Sequence, residues 1–332
     1  MSKDITPVKP RQLGSSGPNS FPIALGCMGM SGIYGASDEA ESIATIHEAI
    51  ERGVNVIDTG DFYGMGENEM LIGRALAGRR DKVLLSVKFG ALRGPDNSWG
   101  GMDSRPAALK NFLAYSLKRL GTDHIDIYRP ARLDPKVPIE DTIGAIAELI
   151  QKGYVRYPGL SEVGVDTIRR AAKVSPISDL QIEYSLISRG PEAQIFPVLK
   201  ELGISATLYG VLSRGLLSGS QLQPGDYRAA LPRFSERNRA QNERVVESIK
   251  NFAAARGLKP SQVAIGWALA KQPGFVATIG ARKRSQLTDA LGAVEHPLSQ
   301  ADVAELEKLV PENAIAGTRY DPTQMAHLDS EK

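Results

Sequence analysis

The sequence is poor in cysteine and histidine, and it lacks several common catalytic motifs. Cys27 is the only cysteine in 332 residues, which excludes an intrachain disulfide framework and favours a reducing compartment. The four histidines are scattered and show no metal-ligand spacing. No Walker loop, G-x-S-x-G sequence or Rossmann fingerprint opens a strand-helix unit. The corresponding zinc, P-loop, serine hydrolase and Rossmann classes are therefore not expected.

An excess of one charge is also missing. The 40 basic and 38 acidic residues give a net charge of +2 and are spread along the chain, so no nucleic-acid partner is expected. The first residues, MSKDITPVKPRQL, contain no apolar core of signal-peptide length, and no apolar run is long enough to span a bilayer. We expect a soluble cytoplasmic protein without a membrane partner.

The most informative stretch is 54–64, VNVIDTGDFYG. Its β-branched residues follow Gly53, which ends a helical pattern, so the stretch begins as a buried strand. Asp58 stands where this strand ends, and Tyr63 follows in the loop. The next comparable run, VLLSVKFG, brings Lys88 to the end of a second strand. The pattern predicts that three ionisable side chains meet at one end of one sheet.

A strand followed by a helix recurs along the chain, and eight such units can be counted. Eight units with parallel strands form a (β/α)8 TIM barrel of the α/β class rather than an open sheet, so residues 1–332 are predicted to be one domain. The predicted strands cover 21–26, 54–58, 83–88, 125–128, 155–160, 179–182, 204–209 and 275–279. The predicted helices cover 37–53, 67–77, 105–120, 139–152, 165–174, 192–202, 239–256 and 285–294.

Segments outside these units carry further predictions. Turn-forming residues within 11–22 predict a short β-hairpin ahead of the barrel. Two long loops, 90–104 and 212–238, are typical of lids or binding loops. Residues 1–10 and 318–332 are candidate flexible tails, the second of which alternatively lies over the face of the barrel that carries the site.

Asp58, Tyr63 and Lys88 are the residue types that a phenolic general acid requires. The pKa of a free tyrosine is about 10, a neighbouring ammonium favours the phenolate, and a carboxylate holds that ammonium in place. Each residue alone also has an ordinary interpretation, as a cap, a packed ring or a solvated charge. Their common position at the C-terminal end of the barrel strands favours the catalytic interpretation.

Two other groups of residues predict ligand binding at the same end of the barrel. The segment 280–290, GARKRSQLTDA, combines a glycine, a helix N-terminus and three basic residues, which suits a phosphate group but is also compatible with an ordinary exposed helix start. Polar and aromatic residues end the fifth, sixth and seventh strands, and together they suit a planar ring bearing an amide. These are Ser161, Glu162, Gln181, Glu183 and Tyr209.

The chain resembles the aldo-keto reductases over nearly its whole length. The segments that carry the resemblance include GCMGMSGIYG, NVIDTGDFYG, GENEMLIGRAL, VKFG, SLKRLGTDHIDIY, GYVRYPGLSE, LQIEYSLISR and GARKRSQL. The resemblance implies a barrel that reduces aldehydes and ketones with NADPH, or runs the reverse oxidation. It implies Asp58, Tyr63 and Lys88 as catalytic residues. It also implies a cofactor site made of Cys27, Met28, Ser161, Gln181, Tyr209, Gly210, Val211, Leu212, Ser213, Gly215, Gly280, Arg282, Gln286 and Asp289.

The sequence departs from the family pattern at three positions. Ala131 stands where the family has its fourth catalytic residue, a histidine, and alanine cannot donate a hydrogen bond to a carbonyl oxygen. Ala290 replaces an asparagine of the adenosine site, and Glu162 replaces the asparagine that often follows Ser161.

Two explanations of Ala131 remain open. In the first, another donor replaces the histidine, and Arg129 and Arg132 are the cationic candidates. In the second, the chain is an NADP(H)-binding sensor with weak or lost catalysis. Because the other three catalytic residues are present, we favour an NADPH-dependent oxidoreductase that acts on a small carbonyl or alcohol substrate. The substrate pocket is expected to be lined by Met30, Ile33, Tyr34, Trp99, Arg129 and Ala131, and the sequence does not distinguish among substrates or oligomeric states.

Overall fold

The computed structural model describes residues 8–32, 35, 37–96, 98–220, 222 and 226–332. A two-stranded antiparallel hairpin, β1 (Arg11–Gln12) and β2 (Asn19–Ser20), precedes the barrel as predicted. The remaining strands are β3 (Ile23–Gly26), β4 (Val56–Gly60), β5 (Leu84–Phe89), β6 (Ala91–Arg93), β7 (Trp99–Met102), β8 (Ile125–Pro130), β9 (Val155–Pro158), β10 (Leu160–Ser161), β11 (Asp179–Glu183), β12 (Ser205–Tyr209) and β13 (Val276–Gly280).

Parallel pairing arranges nine of these strands in the order β10-β11-β12-β13-β3-β4-β5-β8-β9, and β6 and β7 form a separate sheet. The first and last members of this order, β9 and β10, are one segment of chain interrupted at Gly159, so the sheet closes on itself. The predicted (β/α)8 barrel is thereby confirmed, with the predicted fifth strand divided in two. All strand C-terminal ends lie at one mouth, as the parallel register requires.

Helices surround the sheet. They are α1 (Glu39–Glu51), α2 (Glu67–Ala75), α3 (Pro106–Leu120), α4 (Ile139–Gln151), α5 (Val165–Val174), α6 (Ile195–Leu202), α7 (Glu236–Ala254), α8 (Pro260–Lys271), α9 (Arg284–Glu295), α10 (Gln300–Leu309) and α11 (Pro322–Ala326). All of them except α11 bury apolar residues. No helix in the described ranges is long and apolar enough to cross a membrane.

Helix α8 and the hairpin of β6 and β7 are among the elements that were not predicted. Helix α8 buries every residue from 263 to 269, so its sequence has no amphipathic period from which a helix could be recognised. The hairpin of β6 and β7 lies inside the predicted long loop 90–104. Its strands are only three and four residues long, and two of the four residues of β7 are glycine, which gives a weak strand signal.

The C-terminal residues pack on the barrel mouth. Asp329 accepts hydrogen bonds from Gly164 N at 2.8 Å and Thr167 Oγ1 at 2.7 Å at the start of α5. Arg319 is only 7% exposed because it extends into the mouth. The segment 319–331, called the C-terminal segment below, therefore covers one side of the site.

Candidate active site

Asp58 and Lys88 form a buried ion pair at the mouth of the barrel. They lie on the adjacent strands β4 and β5, and Lys88 Nζ is 2.5 Å from Asp58 Oδ1. The other carboxylate oxygen, Asp58 Oδ2, accepts hydrogen bonds from Ser86 Oγ at 3.0 Å and Gln181 Nε2 at 2.8 Å. Both oxygens are therefore engaged, and the ammonium has a fixed position.

Tyr63 begins a short 3₁₀ turn directly after β4, and its ring lies beside this ammonium. Lys88 Nζ is 5.2 Å from the centroid of the Tyr63 ring. Burial lowers the pKa of Lys88; Asp58 opposes this effect, and the like charges of Arg129 and Arg132 add to it. A desolvated cation next to a phenol stabilises the phenolate, so the geometry suits a tyrosine that releases its proton.

A buried side chain that was not among the predicted site residues lies next to the turn that carries Tyr63. Gly64 and Met65 adopt left-handed conformations with φ of 57° and 53°. Asn68, in the first turn of α2, accepts from Thr59 Oγ1 at 2.7 Å and donates to Cys27 O at 2.8 Å. It thus joins the ends of β3 and β4, and a polar residue on the buried face of α2 is the signal that could have revealed it.

The predicted ring-binding residues also meet at the mouth. Ser161 and Tyr209 are the last residues of β10 and β12, while Gln181 lies in the middle of β11, in register with Ser161. Arg132 joins two of them, since its Nη1 lies 3.4 Å from Ser161 Oγ and its Nη2 lies 3.5 Å from Tyr209 OH. Tyr209 OH is also 3.2 Å from the hydroxyl of Tyr320 in the C-terminal segment.

Glu162 is fully buried and pairs with Arg319 of the C-terminal segment. Arg319 donates to both carboxylate oxygens, at 2.9 and 2.6 Å. Burial opposes ionisation of Glu162, but the hydrogen bonds and charge of Arg319 outweigh burial, and the pKa of Glu162 falls to about 2. Arg319 was not among the predicted site residues, because its partner lies 157 positions away in the sequence.

The structure does not place Arg129 at the mouth, where it was expected to line the substrate pocket. Its side chain is 0% exposed and points into the barrel, where it pairs with Asp179 at 2.9 Å. Met30 is also buried, and Ala131 is only 3% exposed.

Trp99 is half exposed on the β6–β7 hairpin, with the guanidinium of Arg93 5.6 Å from its ring. Ile33 and Tyr34, also predicted for the pocket, lie outside the described residues.

The predicted pyrophosphate loop follows β12 directly. Gly210, Ser213, Arg214 and Gly215 all have positive φ, between 46° and 92°, so the loop is a run of tight turns. Val211 and Ser213 are buried, and Leu212 is half-buried. The Arg214 guanidinium lies 4.4 Å from the centroid of the Tyr320 ring.

The predicted adenosine-phosphate residues lie at the end of β13 and on α9. The backbone N–H of Arg282 donates to Gln286 Oε1 at 3.0 Å, and its guanidinium donates to Gly35 O at 3.2 Å. Asp289 pairs with Lys259 of the neighbouring helix α8.

Cys27 and Met28 follow β3 at the same mouth. The side chain of Cys27 is fully buried, and its backbone N–H donates to Asp58 O at 2.9 Å. Burial raises the pKa of the Cys27 thiol, so the thiol stays protonated.

The burial of Asp61, two residues before Tyr63, predicts that the free energy of unfolding depends on pH. Burial and then the nearby charge of Glu69 raise its pKa to about 7. The folded state therefore binds a proton that the unfolded state has lost, and stability falls as pH rises from about 4 to 7. We expect Asp61→Asn to raise the free energy of unfolding by roughly 2 kcal/mol at pH 8 and by less at pH 4. Urea unfolding at the two pH values measures this difference, and an equal effect at both would contradict the assignment.

The family model described as "Aldo/keto reductase family" matches residues 22–311. The chain belongs to this family. A probable aldo-keto reductase of Glycine max is 36% identical over 321 residues, which cover 94% of this chain and 92% of that protein. An aldo-keto reductase of Schizosaccharomyces pombe, whose name specifies NADP(+), is 35% identical over 310 residues, or 90% of this chain and 91% of that protein.

Solved aldo-keto reductases have the same fold as this chain. The glycerol dehydrogenase of Gluconobacter oxydans superposes with a TM-score of 0.83 at 27% identity, covering 94% of this chain and 99% of that one. The sequence resemblance to the family is therefore confirmed, and the chain is an oxidoreductase by family.

Proposed function

We propose that this aldo-keto reductase reduces an aldehyde or ketone to an alcohol with NADPH, or catalyses the reverse oxidation, with Tyr63 as the proton donor. The observation that carries the proposal is the buried Lys88–Asp58 pair, 2.5 Å long, with Lys88 Nζ 5.2 Å from the Tyr63 ring. A phenol, an ammonium and a carboxylate in this arrangement are suited to acid–base chemistry at neutral pH.

The residues at the mouth are chemically suited to an NADP(H) molecule. The nicotinamide, when bound, supplies or accepts the hydride. Ser161, Gln181 and Tyr209 provide a hydroxyl, an amide and an aromatic ring for it. For the phosphates, the loop 210–215 turns tightly, and a Cβ added at the exposed Gly280 would meet nothing closer than an oxygen at 3.9 Å, so the backbone is open to a ligand. The name of the Schizosaccharomyces pombe relative supports NADP over NAD.

The protein's own residues account for the movement of the proton. Tyr63 gives its hydroxyl proton to the substrate oxygen in reduction and recovers it in oxidation. Lys88 stabilises the phenolate that remains, and Asp58 keeps Lys88 charged and in position through its 2.5 Å contact. The barrel mouth holds these groups in one rigid arrangement. Because the groups are already oriented, less entropy is lost in reaching the transition state.

Arg132 is the better of the two candidates for the missing histidine. Arg129 is fully buried in its pair with Asp179 and has no surface at the mouth. Arg132 follows Ala131 directly, and its guanidinium contacts both Ser161 and Tyr209. A cation at this place can stabilise negative charge that develops on the substrate oxygen opposite Tyr63.

One experiment separates the reductase from the alternative, an NADP(H)-binding sensor. NADPH is titrated by its fluorescence, and its oxidation is then followed by absorbance with a panel of aldehydes and ketones. Turnover of a carbonyl compound supports the proposal. Tight binding without oxidation of NADPH by any carbonyl, and without reduction of NADP⁺ by alcohols, would favour the sensor.

Arg282 is proposed to determine the preference for NADPH. It lies at the start of α9, where its charge can meet the 2′-phosphate that distinguishes NADPH from NADH. We expect Arg282→Ala to raise the KM for NADPH by about 10-fold or more, as loss of a charge-assisted hydrogen bond predicts, and to leave the KM for NADH within about 2-fold. Steady-state kinetics with both cofactors measure this. Arg284→Ala is the matched control, because Arg284 pairs with Glu41 at 3.0 Å; equal effects of Arg282→Ala on both cofactors would refute the assignment.

A further inference from the structure

A second buried ion pair lies inside the barrel, below the first. Arg129 and Asp179 are both 0% exposed, and Arg129 Nη1 is 2.9 Å from Asp179 Oδ2. Thr207 completes the contact by donating to the same Asp179 oxygen at 2.6 Å. The interior of such a barrel is usually filled by branched apolar side chains, and desolvating two charges costs several kcal/mol per ion. Packing alone does not explain a pair at this position.

Ser86 connects this pair to the active site. Its hydroxyl donates to Asp58 Oδ2 at 3.0 Å, and it accepts a hydrogen bond from Arg129 Nη2 at 3.0 Å. A hydroxyl has one proton, so donation to the carboxylate leaves its lone pairs for the guanidinium. A continuous chain of polar contacts thus runs from Asp179 through Arg129, Ser86 and Asp58 to Lys88.

The backbone makes room for this arrangement. A Cβ at position 159 would lie 3.1 Å from Asp179 Oδ1 and 3.2 Å from Arg129 Nε, which is tighter than ordinary packing. Gly159 separates β9 from β10, so the interruption of the strand coincides with the place where the pair lies against the backbone. The absence of a side chain at Gly159 therefore leaves room for the guanidinium and the carboxylate beside the strand.

We propose that Arg129 is a positioning residue for the reaction, which acts through the Ser86 hydroxyl on Asp58 and so fixes the site of Lys88 beside Tyr63. The proposal rests on the proposed reductase function for its kinetic consequences. It assigns Asp179 as the residue that orients the Arg129 guanidinium.

The Arg129–Asp179 pair is expected to influence release of the Tyr63 proton. Burial, and then the like charges of Arg129 and Arg132, lower the pKa of Lys88 against the effect of Asp58. Cys27 after β3 and Tyr63 after β4 also lie near this ammonium, whereas Asp179 on β11 pairs with Arg129. Because Arg129 and Asp179 carry opposite charges, removing both leaves the net charge near Lys88 unchanged, and the effect on Tyr63 arises from displacement of Lys88. An ammonium that is no longer held beside the ring stabilises the phenolate less, so the phenol keeps its proton to higher pH.

Two variants test the proposal without leaving a buried charge unpaired. Arg129→Met/Asp179→Asn removes both charges. Ser86→Ala removes the hydroxyl that links Arg129 to Asp58 and keeps both charges. Ser42→Ala is the matched control, because Ser42 is also fully buried and loses one hydrogen bond, but lies on α1. We expect both test variants to lower kcat by about 10-fold, to leave the NADPH Kd within about 2-fold, and to move the upper limb of the pH–kcat profile to higher pH.

The ionisation of Tyr63 gives a readout that does not require turnover. Titration of [13C]tyrosine-labelled protein by NMR, with the signal assigned by Tyr63→Phe, is expected to show a higher pKa for Tyr63 in both test variants and no change in Ser42→Ala. An unchanged Tyr63 pKa in folded test variants would overturn the inference. Absence of carbonyl turnover in the wild type would refute the proposed function instead, and the titration would still decide the role of Arg129.

Discussion

Replacing Tyr63 by Phe is expected to lower kcat for carbonyl reduction by roughly 10²–10⁴-fold, the range that a positioned general acid contributes. The hydroxyl is the only group lost. The Phe ring retains the edge-to-face contact with Phe62, in which the two ring centroids are 4.8 Å apart. The expected loss is therefore chemical rather than structural. Stopped-flow measurement of a single turnover of bound NADPH reports the chemical step directly, without a contribution from product release.

Two further measurements make the Tyr63 result decisive. The NADPH Kd of Tyr63→Phe should stay within about 2-fold of the wild-type value, since the residues proposed to bind the nicotinamide, Ser161, Gln181 and Tyr209, are unchanged. Tyr115→Phe serves as the control, because Tyr115 is 58% exposed on α3. A wild-type rate in Tyr63→Phe would refute the role of the phenol as the acid and would require another donor at the mouth.

The barrel could be predicted from the sequence because its signals are local and repeated. Runs of apolar residues that alternate with amphipathic helices identify each unit, and the parallel register brings Asp58 and Lys88 together on adjacent strands. Helix α8 could not be predicted, since its residues are buried on all sides and leave no periodic signal.

The position of Arg129 could have been predicted from the period of the strand. Side chains alternate between faces along β8, so Arg129 shares the face of Ile127, which packs in the barrel interior with Ala24 and Val56. The prediction that Arg129 lies at the mouth was based only on its closeness in sequence to Ala131.

Arg319 differs from these cases. Its contact with Glu162 depends on how the C-terminal segment returns across the mouth, and no local pattern in the sequence specifies that path.

Arg132→Met is expected to lower kcat by about 10²–10³-fold, the cost of removing one donor to a developing oxyanion. The guanidinium lies next to Ala131, and its Nη2 atom is within 3.5 Å of both Tyr209 OH and Tyr320 OH, so it is directed toward the mouth. Methionine retains most of the length of the side chain but cannot donate a hydrogen bond. The rate of the chemical step with a reactive aldehyde measures the loss, and Arg132→Lys should recover part of it because the charge is restored.

Ala131→His tests whether Arg132 takes the place of the missing histidine. If Arg132 polarises the carbonyl, adding His to Arg132→Met should raise kcat, since the imidazole supplies the donor that the variant lost. Adding the same His to the wild type should change kcat by less, because the donor is already present. Arg132 also contacts Ser161 at 3.4 Å, so the NADPH Kd must be measured in each variant. A loss in Arg132→Met that appears only in this Kd would assign the residue to cofactor binding, and the carbonyl would then be polarised by Tyr63 alone.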